Sequence, residues 1–252
     1  MRNAEDPLSI RNPHSEIEMI VLVTGASQGI GAAVAEAFAA DYGAEARLAL
    51  VARSEGPLAA VADACRARGA GAETFPCDVT DEAAVERMAE AVRARLGTPD
   101  VLVNNAGAFR PGGVLDMTPA DFRADVEVNL TSAFLVTHAF LEEMVARGSG
   151  DVVFMASVAS IKGYPRGVAY GAAKHGLLGL ARSLREEVRE RGLRVITLLP
   201  GATYTDSWAA SGLPEERFMP PEDLARLVVS LHRLSDRTVV EEVLLRPQLG
   251  DV

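Results

Sequence analysis

From residue 19 onward the chain alternates between short unbroken apolar runs and longer stretches in which apolar residues return every three to four positions. The runs are "MIVLVT" (19–24), "RLALVA" (47–52), "AETFPC" (72–77), "DVLVN" (100–104), "GDVVFMAS" (150–157), "LRVITLLP" (193–200) and "VEEVLLR" (240–246). A strand with one wet face alternates apolar and polar residues, whereas a strand covered on both faces reads as a continuous apolar run. Most of these runs are continuous. Helical periodicity fills the gaps near 29–42, 55–69, 81–96, 119–147, 167–191 and 220–232. "TDEA" (80–83) and "TPAD" (118–121) read as N-caps, the second with proline at the first helical position. Alternating strands and helices predict an α/β fold: a doubly wound, mostly parallel seven-stranded sheet with helices on both faces.

The loop after the first run is "TGASQGIG" (24–31), which places Gly25, Gly29 and Gly31 between a strand and a helix. Glycine there lets the backbone turn sharply and approach a ligand, and the helix N-terminus offers free N–H groups to phosphates. That is the loop a dinucleotide site needs, so the sheet reads as a Rossmann fold. Residues 19–252 read as a single dinucleotide-binding catalytic domain, with no linker or internal repeat. Residues 1–18 have no apolar core and read as a disordered tail, not a secretory signal.

Composition narrows the function. The 252 residues carry a net charge of −10, which argues against nucleic acid and anionic membranes as partners. No apolar run approaches the length of a membrane span, and the expected location is cytoplasmic. Cys65 and Cys77 are the only cysteines and read as small buried hydrophobes. The four histidines are scattered without ligand spacing, so no metal site is expected.

Lysine is rare: of 25 Lys and Arg residues only Lys162 and Lys174 are Lys. Lys174 follows Tyr170 by four residues in "YGAAKHG" (170–176), so the two share one helix face. Ser157 closes the fifth run, and Asn129 lies in "VNLTSAF" (128–134) within the long helical pattern 119–147. "NNAG" (104–107) closes the fourth run and "PGATYT" (200–205) the sixth. With these five motifs in this order, the chain resembles the short-chain dehydrogenase/reductase family over residues 19–246.

The resemblance implies reversible hydride transfer between a nicotinamide cofactor and a ketone or aldehyde. Tyr170 resembles the general acid in carbonyl reduction, or the base in alcohol oxidation, with its phenol pKa lowered by Lys174 beside it together with the positively charged oxidised nicotinamide. Lys174 resembles the lysine that hydrogen-bonds the nicotinamide ribose, Ser157 the residue that holds the substrate oxygen, and Asn129 the residue that holds a water linking Lys174 to solvent. Cofactor contacts are implied for Ser27, Gln28 and Ile30 beside the loop glycines. They are implied also for Asp78 and Val79 after the third run, for Asn105, Ala106 and Gly107, and for Pro200, Gly201, Thr203 and Thr205.

Cofactor choice is read at the end of the second run, "LVARS" (50–54), where no acidic residue stands. Arg53, assisted by Ser54, offers a cationic fork to a 2′-phosphate, so NADP(H) is expected. The C-terminal part, with "FMPPEDLA" (218–225) and "RTVVEEVLLRP" (237–247), resembles the bacterial sepiapterin-reductase-like branch. That branch implies reduction of a ketone on a pterin side chain; 3-oxoacyl thioesters and small diketones are the alternatives, and a non-catalytic NADP(H) sensor is a third. Residues 203–220 are expected to form a substrate lid. Trp208 is placed either to stack on a flat ring or to anchor the lid, and Asp206 is a candidate for a heterocycle's amino groups. Phe134, Leu135, Phe140 and Leu141 suggest an apolar face for a homodimer or homotetramer.

Overall fold

The computed structural model describes residues 18–205, 208 and 211–251. All but one residue of the expected N-terminal tail lies outside them. Seven strands form one sheet in the order β3-β2-β1-β4-β5-β6-β7, and every pairing is parallel. The strands are β1 (Met19–Thr24), β2 (Ala46–Ala52), β3 (Gly71–Pro76), β4 (Val101–Asn104), β5 (Gly150–Met155), β6 (Leu193–Pro200) and β7 (Glu242–Leu245). Helices α1 (Gly29–Tyr42), α2 (Glu55–Ala67) and α3 (Glu82–Arg95) follow the first three strands. Helices α4 (Pro119–Val126) and α5 (Ser132–Arg147) follow β4, α6 (Val168–Val188) follows β5, and α7 (Pro221–His232) follows β6.

The unbroken apolar runs exist because successive strand residues enter two different cores. Val21 and Val23 face α1 and α7, while Leu22 between them faces the other layer. Leu48 and Leu50 of β2 and Ile196 and Leu198 of β6 join the first core; Ala49, Val51, Val195 and Leu199 join the second. The first core is closed by Phe38 and Leu224, and the second by Met88, Phe140 and Leu177. No helix among the described residues is long and apolar enough to cross a membrane. Cys65 and Cys77 are buried free thiols whose pKa burial raises to about 11, so they serve as packing groups.

The helix starts follow local chemistry. Asp81 caps α3 by accepting from Ala84 N–H, and Thr118 and Asp121 cap α4 reciprocally, with Pro119 at the first position. The long helix expected over 119–147 is interrupted. Residues Glu127–Thr131 make one wide turn in which Ser132 N–H bonds Glu127 O, five residues back. Phe140, expected on an oligomer face, is fully buried; Phe134 is 48% exposed.

At the N-terminal ends of the strands, Asp151 of β5 lies beside Arg194 of β6 in direct register. Arg194 grips both carboxylate oxygens at 2.6 and 2.7 Å, and His232 Nδ1 lies 2.7 Å from one of them. The pair joins β5, β6 and the end of α7 in a buried place. Breaking such a pair leaves a buried uncompensated charge. Asp151→Ala is therefore expected to destabilise the fold by about 3–5 kcal/mol in urea titrations, and a loss below about 1 kcal/mol would show that the pair does not anchor β5 to β6.

Candidate active site

The strand order reverses between β1 and β4, and a crevice opens at the carboxyl ends of such strands. Thr24, at the end of β1, accepts from both Asn105 N–H and Ala106 N–H at 3.0 Å and donates to Val103 O at 3.3 Å. The Asn105 amide donates back to Thr24 O at 2.9 Å. This fastens the glycine loop to the "NNAG" loop. Gly25 sits at φ 65°, and a Cβ on Gly31 would lie 2.3 Å from Gly25 O. Only glycine lets α1 start this close to its own strand.

A cleft of about 500 Å³ opens above these loops. Gly25, Gln28, Gly29 and Ile30 line one side, with Asn105, Ala106, Gly107 and Asn129 at the floor. Ser157, Tyr170 and Lys174 converge at its centre, and Pro200, Gly201, Thr203, Thr205 and Trp208 line the far side. The remaining expected contacts do not line it. Gly31 is spent on packing, Ser27 is half-buried outside the lining, and Val79 is a buried core residue. Arg53 and Ser54 are exposed beyond the cleft's edge. Asp78 accepts from Thr80 N–H at 3.1 Å and Thr80 Oγ1 at 2.8 Å. Those hydrogen bonds, and more weakly the Arg53 charge, hold its carboxyl below its ordinary value.

Ser157 lies just beyond β5, where its hydroxyl accepts from Ala159 N–H at 3.1 Å and caps the turn Val158–Ser160. Tyr170 and Lys174 lie on one face of α6, with Nζ 5.7 Å from the phenol ring's centre. Burial pushes the Tyr170 pKa up, and the Ser157 hydroxyl pulls the other way. The lowering expected from Lys174 together with an oxidised nicotinamide concerns the cofactor-loaded site. Lys174 is 4% exposed and donates to Met155 O at 2.8 Å, and burial brings its own pKa down to about 8. Asn129 lines the same cleft. Its amide donates to Ala108 O and Asp125 O and accepts from Ala108 N–H, so the side chain clamps the floor loop.

Several neighbours carry no recognisable sequence signal. Phe109 packs edge-on to Tyr170, with ring centres 5.1 Å apart. Asp251, near the chain end, lines the cleft and accepts from Tyr164 Oη at 2.9 Å and Arg246 Nη1 at 2.8 Å. The expected lid is tied down where Thr203 bridges Met219, and Trp208 packs on Phe218 with ring centres 5.1 Å apart. Trp208 thus anchors the lid and lines the cleft at once. Asp206 lies outside the described residues.

The cleft fits a dinucleotide. The bare glycine loop faces it, and the buried Lys174 ammonium has three donors but one protein acceptor. Residues 19–215 match the family model described as short chain dehydrogenase. The chain belongs to the short-chain dehydrogenase family. It is an oxidoreductase of that family. It is 37% identical to a sepiapterin reductase of Chlorobaculum tepidum over 240 residues, covering 92% of this chain and 98% of the relative. It is 38% identical to a 3-oxoacyl-(acyl-carrier-protein) reductase of Escherichia coli over 187 residues, 74% of each. A metagenomic short-chain oxidoreductase solved in complex with NADP superposes with a TM-score of 0.81 at 35% identity, over 94% of this chain and 100% of that one.

The buried lysine makes stability depend on pH. Its folded pKa, about 8, lies below the unfolded value of about 10.5. Below pH 8 both states are charged and the folded state bears the whole burial penalty. Between about 8 and 10.5 the folded lysine is neutral while the unfolded one stays charged, and the penalty is relieved. In dinucleotide-free protein, Lys174→Met should therefore gain most stability at pH 7, up to about 3 kcal/mol, and less at pH 10. Denaturation of both proteins at the two pH values measures this; an equal gain at each would contradict a depressed Lys174.

Proposed function

We propose that this protein reduces a ketone or aldehyde to an alcohol with NADPH, reversibly, and that its substrate is a small molecule of the sepiapterin type. The observation that carries the reading is the convergence of Ser157, Tyr170 and Lys174 in the cleft that the glycine loop opens. Bound there, the dinucleotide supplies the hydride. Gly25, Gln28, Gly29 and Ile30 hold its phosphates against the start of α1. Lys174 turns its two free N–H donors to the nicotinamide ribose. Ser157 donates to the carbonyl oxygen and steadies the charge that develops there. Tyr170 donates the proton to that oxygen, and its burial keeps the phenol protonated until then. Asn129 fixes the loop at Ala108 and would hold a water that links Lys174 to solvent.

The coverage of 98% of the sepiapterin reductase, against 74% of the acyl-carrier reductase, favours the first substrate class. The second supplies the alternative, a 3-oxoacyl thioester or a small diketone. A sensor without turnover would need neither the Ser157 nor the Tyr170 hydroxyl in the cleft. Two buried unpaired thiols fit a cytoplasmic location. The exposed ring of Phe134 fits a homodimer or homotetramer.

A panel of sepiapterin, small diketones and a 3-oxoacyl thioester, assayed by loss of NADPH absorbance, tests the reading. Tyr170→Phe should lower turnover by about two to four decades while NADPH still binds; near-normal turnover would remove Tyr170 from the chemistry.

Cofactor preference is assigned to Arg53. A charge-assisted bond to the 2′-phosphate contributes about 1.5–3 kcal/mol, or one to two decades in affinity. Replacing Ala52 by Asp and Arg53 by Ser removes that attraction and adds repulsion. The double variant should shift kcat/KM toward NADH, and an unchanged ratio would leave Arg53 a merely solvated cation.

A further inference from the structure

A buried carboxylate stands beside the site, and the chemistry above does not use it. Asp125, on α4, is 1% exposed. Its ion partner is Arg110, whose Nη1 lies 3.2 Å from Oδ1. A carboxylate withdrawn from water is unfavourable unless paired. Burial pushes the Asp125 carboxyl up, and the Arg110 charge draws it back. Arg110 has every freedom to leave, since its side chain is 58% exposed. The buried acid gives it one place to stay.

Asp125 and Asn129 stand four residues apart on the same stretch of helix, and both grip the same loop. Asn129 holds Ala108 by two hydrogen bonds, at 3.0 and 2.8 Å. Asp125 holds Arg110. Between these two fixed points lies Phe109, whose ring meets Tyr170 at 72° while 44% of the residue faces solvent. The chain beyond Arg110 reads Pro111, Gly112, Gly113 and lies in no helix or strand; the nearest tie is Gly112 N–H to Arg166 O at 2.9 Å.

We propose that the Asp125–Arg110 ion pair is a latch that holds Phe109 edge-on against Tyr170, making Asp125 and Arg110 positioning residues for proton transfer at Tyr170. The proposal rests on the reductase reading of the same cleft. The latch fixes the substrate-side wall beside the phenol and keeps the phenol's orientation from relaxing. Releasing it lets the ring swing toward solvent and admits water to the phenol.

Arg110→Ala should lower kcat/KM for a ketone that the wild-type enzyme reduces by roughly tenfold, with NADPH affinity unchanged. Arg110→Lys should keep most of the activity, because an ammonium can reach the same carboxylate oxygen. Asp125→Asn, which preserves shape, should reproduce Arg110→Ala without leaving a buried charge. The effect should vanish in a Phe109→Ala background, where the latch has no ring to hold. A general loss of packing would instead add to Phe109→Ala. Amide hydrogen exchange across residues 105–115, in protein without substrate, should be faster in Arg110→Ala and Asp125→Asn than in wild type. Wild-type rates of turnover and exchange in both variants would overturn the latch while leaving the reductase reading intact. If wild type reduced no ketone, that reading would fail, and unchanged exchange in the two variants would then overturn the latch separately.

Discussion

The hydroxyl of Thr24 sets the spacing on which the site depends. One oxygen receives two backbone N–H groups from the loop after β4 and donates to β4 itself. A parallel sheet gives no hydrogen-bonding reason for two neighbouring strands to end at the same height. This contact supplies it, where the strand order reverses. With the loops held there, α1 must begin against the Gly25 carbonyl, and only Gly31 permits the approach. The free N–H groups of α1 and the floor loop at Gly107 then face one cleft. The strands below can vary in packing without moving these two loops apart.

Above that floor, electrostatics does most of the shaping. Tyr170 is half-buried and Lys174 is buried, and withdrawal from water disfavours the charged form of each: the phenol rises and the ammonium falls to about 8. Without a dinucleotide, the phenol stays protonated, and the lysine is charged below about pH 8 and neutral above it. New acceptors for Lys174 would favour its charged form over a wider pH range, and an ammonium beside the ring favours the phenolate. The lowering of Tyr170 that the family resemblance implies involves an oxidised nicotinamide as well as Lys174, so it refers to the loaded site.

Periodicity made the fold readable, and it failed where periodicity carries no information. The strands were legible because two cores make continuous apolar runs, and the caps at Asp81 and Thr118 because their side chains act locally. The wide turn at Asn129 was invisible, since apolar residues keep their helical spacing straight through it. Phe140 read as a surface residue because a helix packed on both a sheet and a neighbouring helix is apolar over most of its circumference. Nothing in "DFRADVEVNL" marks Asp125 as a buried acid; its ion partner is Arg110, fifteen residues away in a loop without period. Phe109 and Asp251 share that difficulty, because their partners are set by tertiary closure.

This division between legible and illegible parts follows the chemistry. The match to the family model ends at residue 215 and includes the glycine loop, Ser157, Tyr170 and Lys174. On the proposed reading, hydride transfer to a carbonyl imposes the same geometry whatever the rest of the substrate is, which ties those positions to local motifs. The far end of the cleft is assembled differently. Tyr164, Trp208 and Asp251 come from three separate segments, and Asp251 lies beyond the matched region. Its carboxylate is held by Tyr164, Lys162 and Arg246, so residues distant in sequence fix this part of the lining. A relative can keep the catalytic floor and replace this closure through a few changes near its C-terminus. The family can therefore share one reaction among many substrates, and sequence alone identifies the reaction more readily than the molecule reduced.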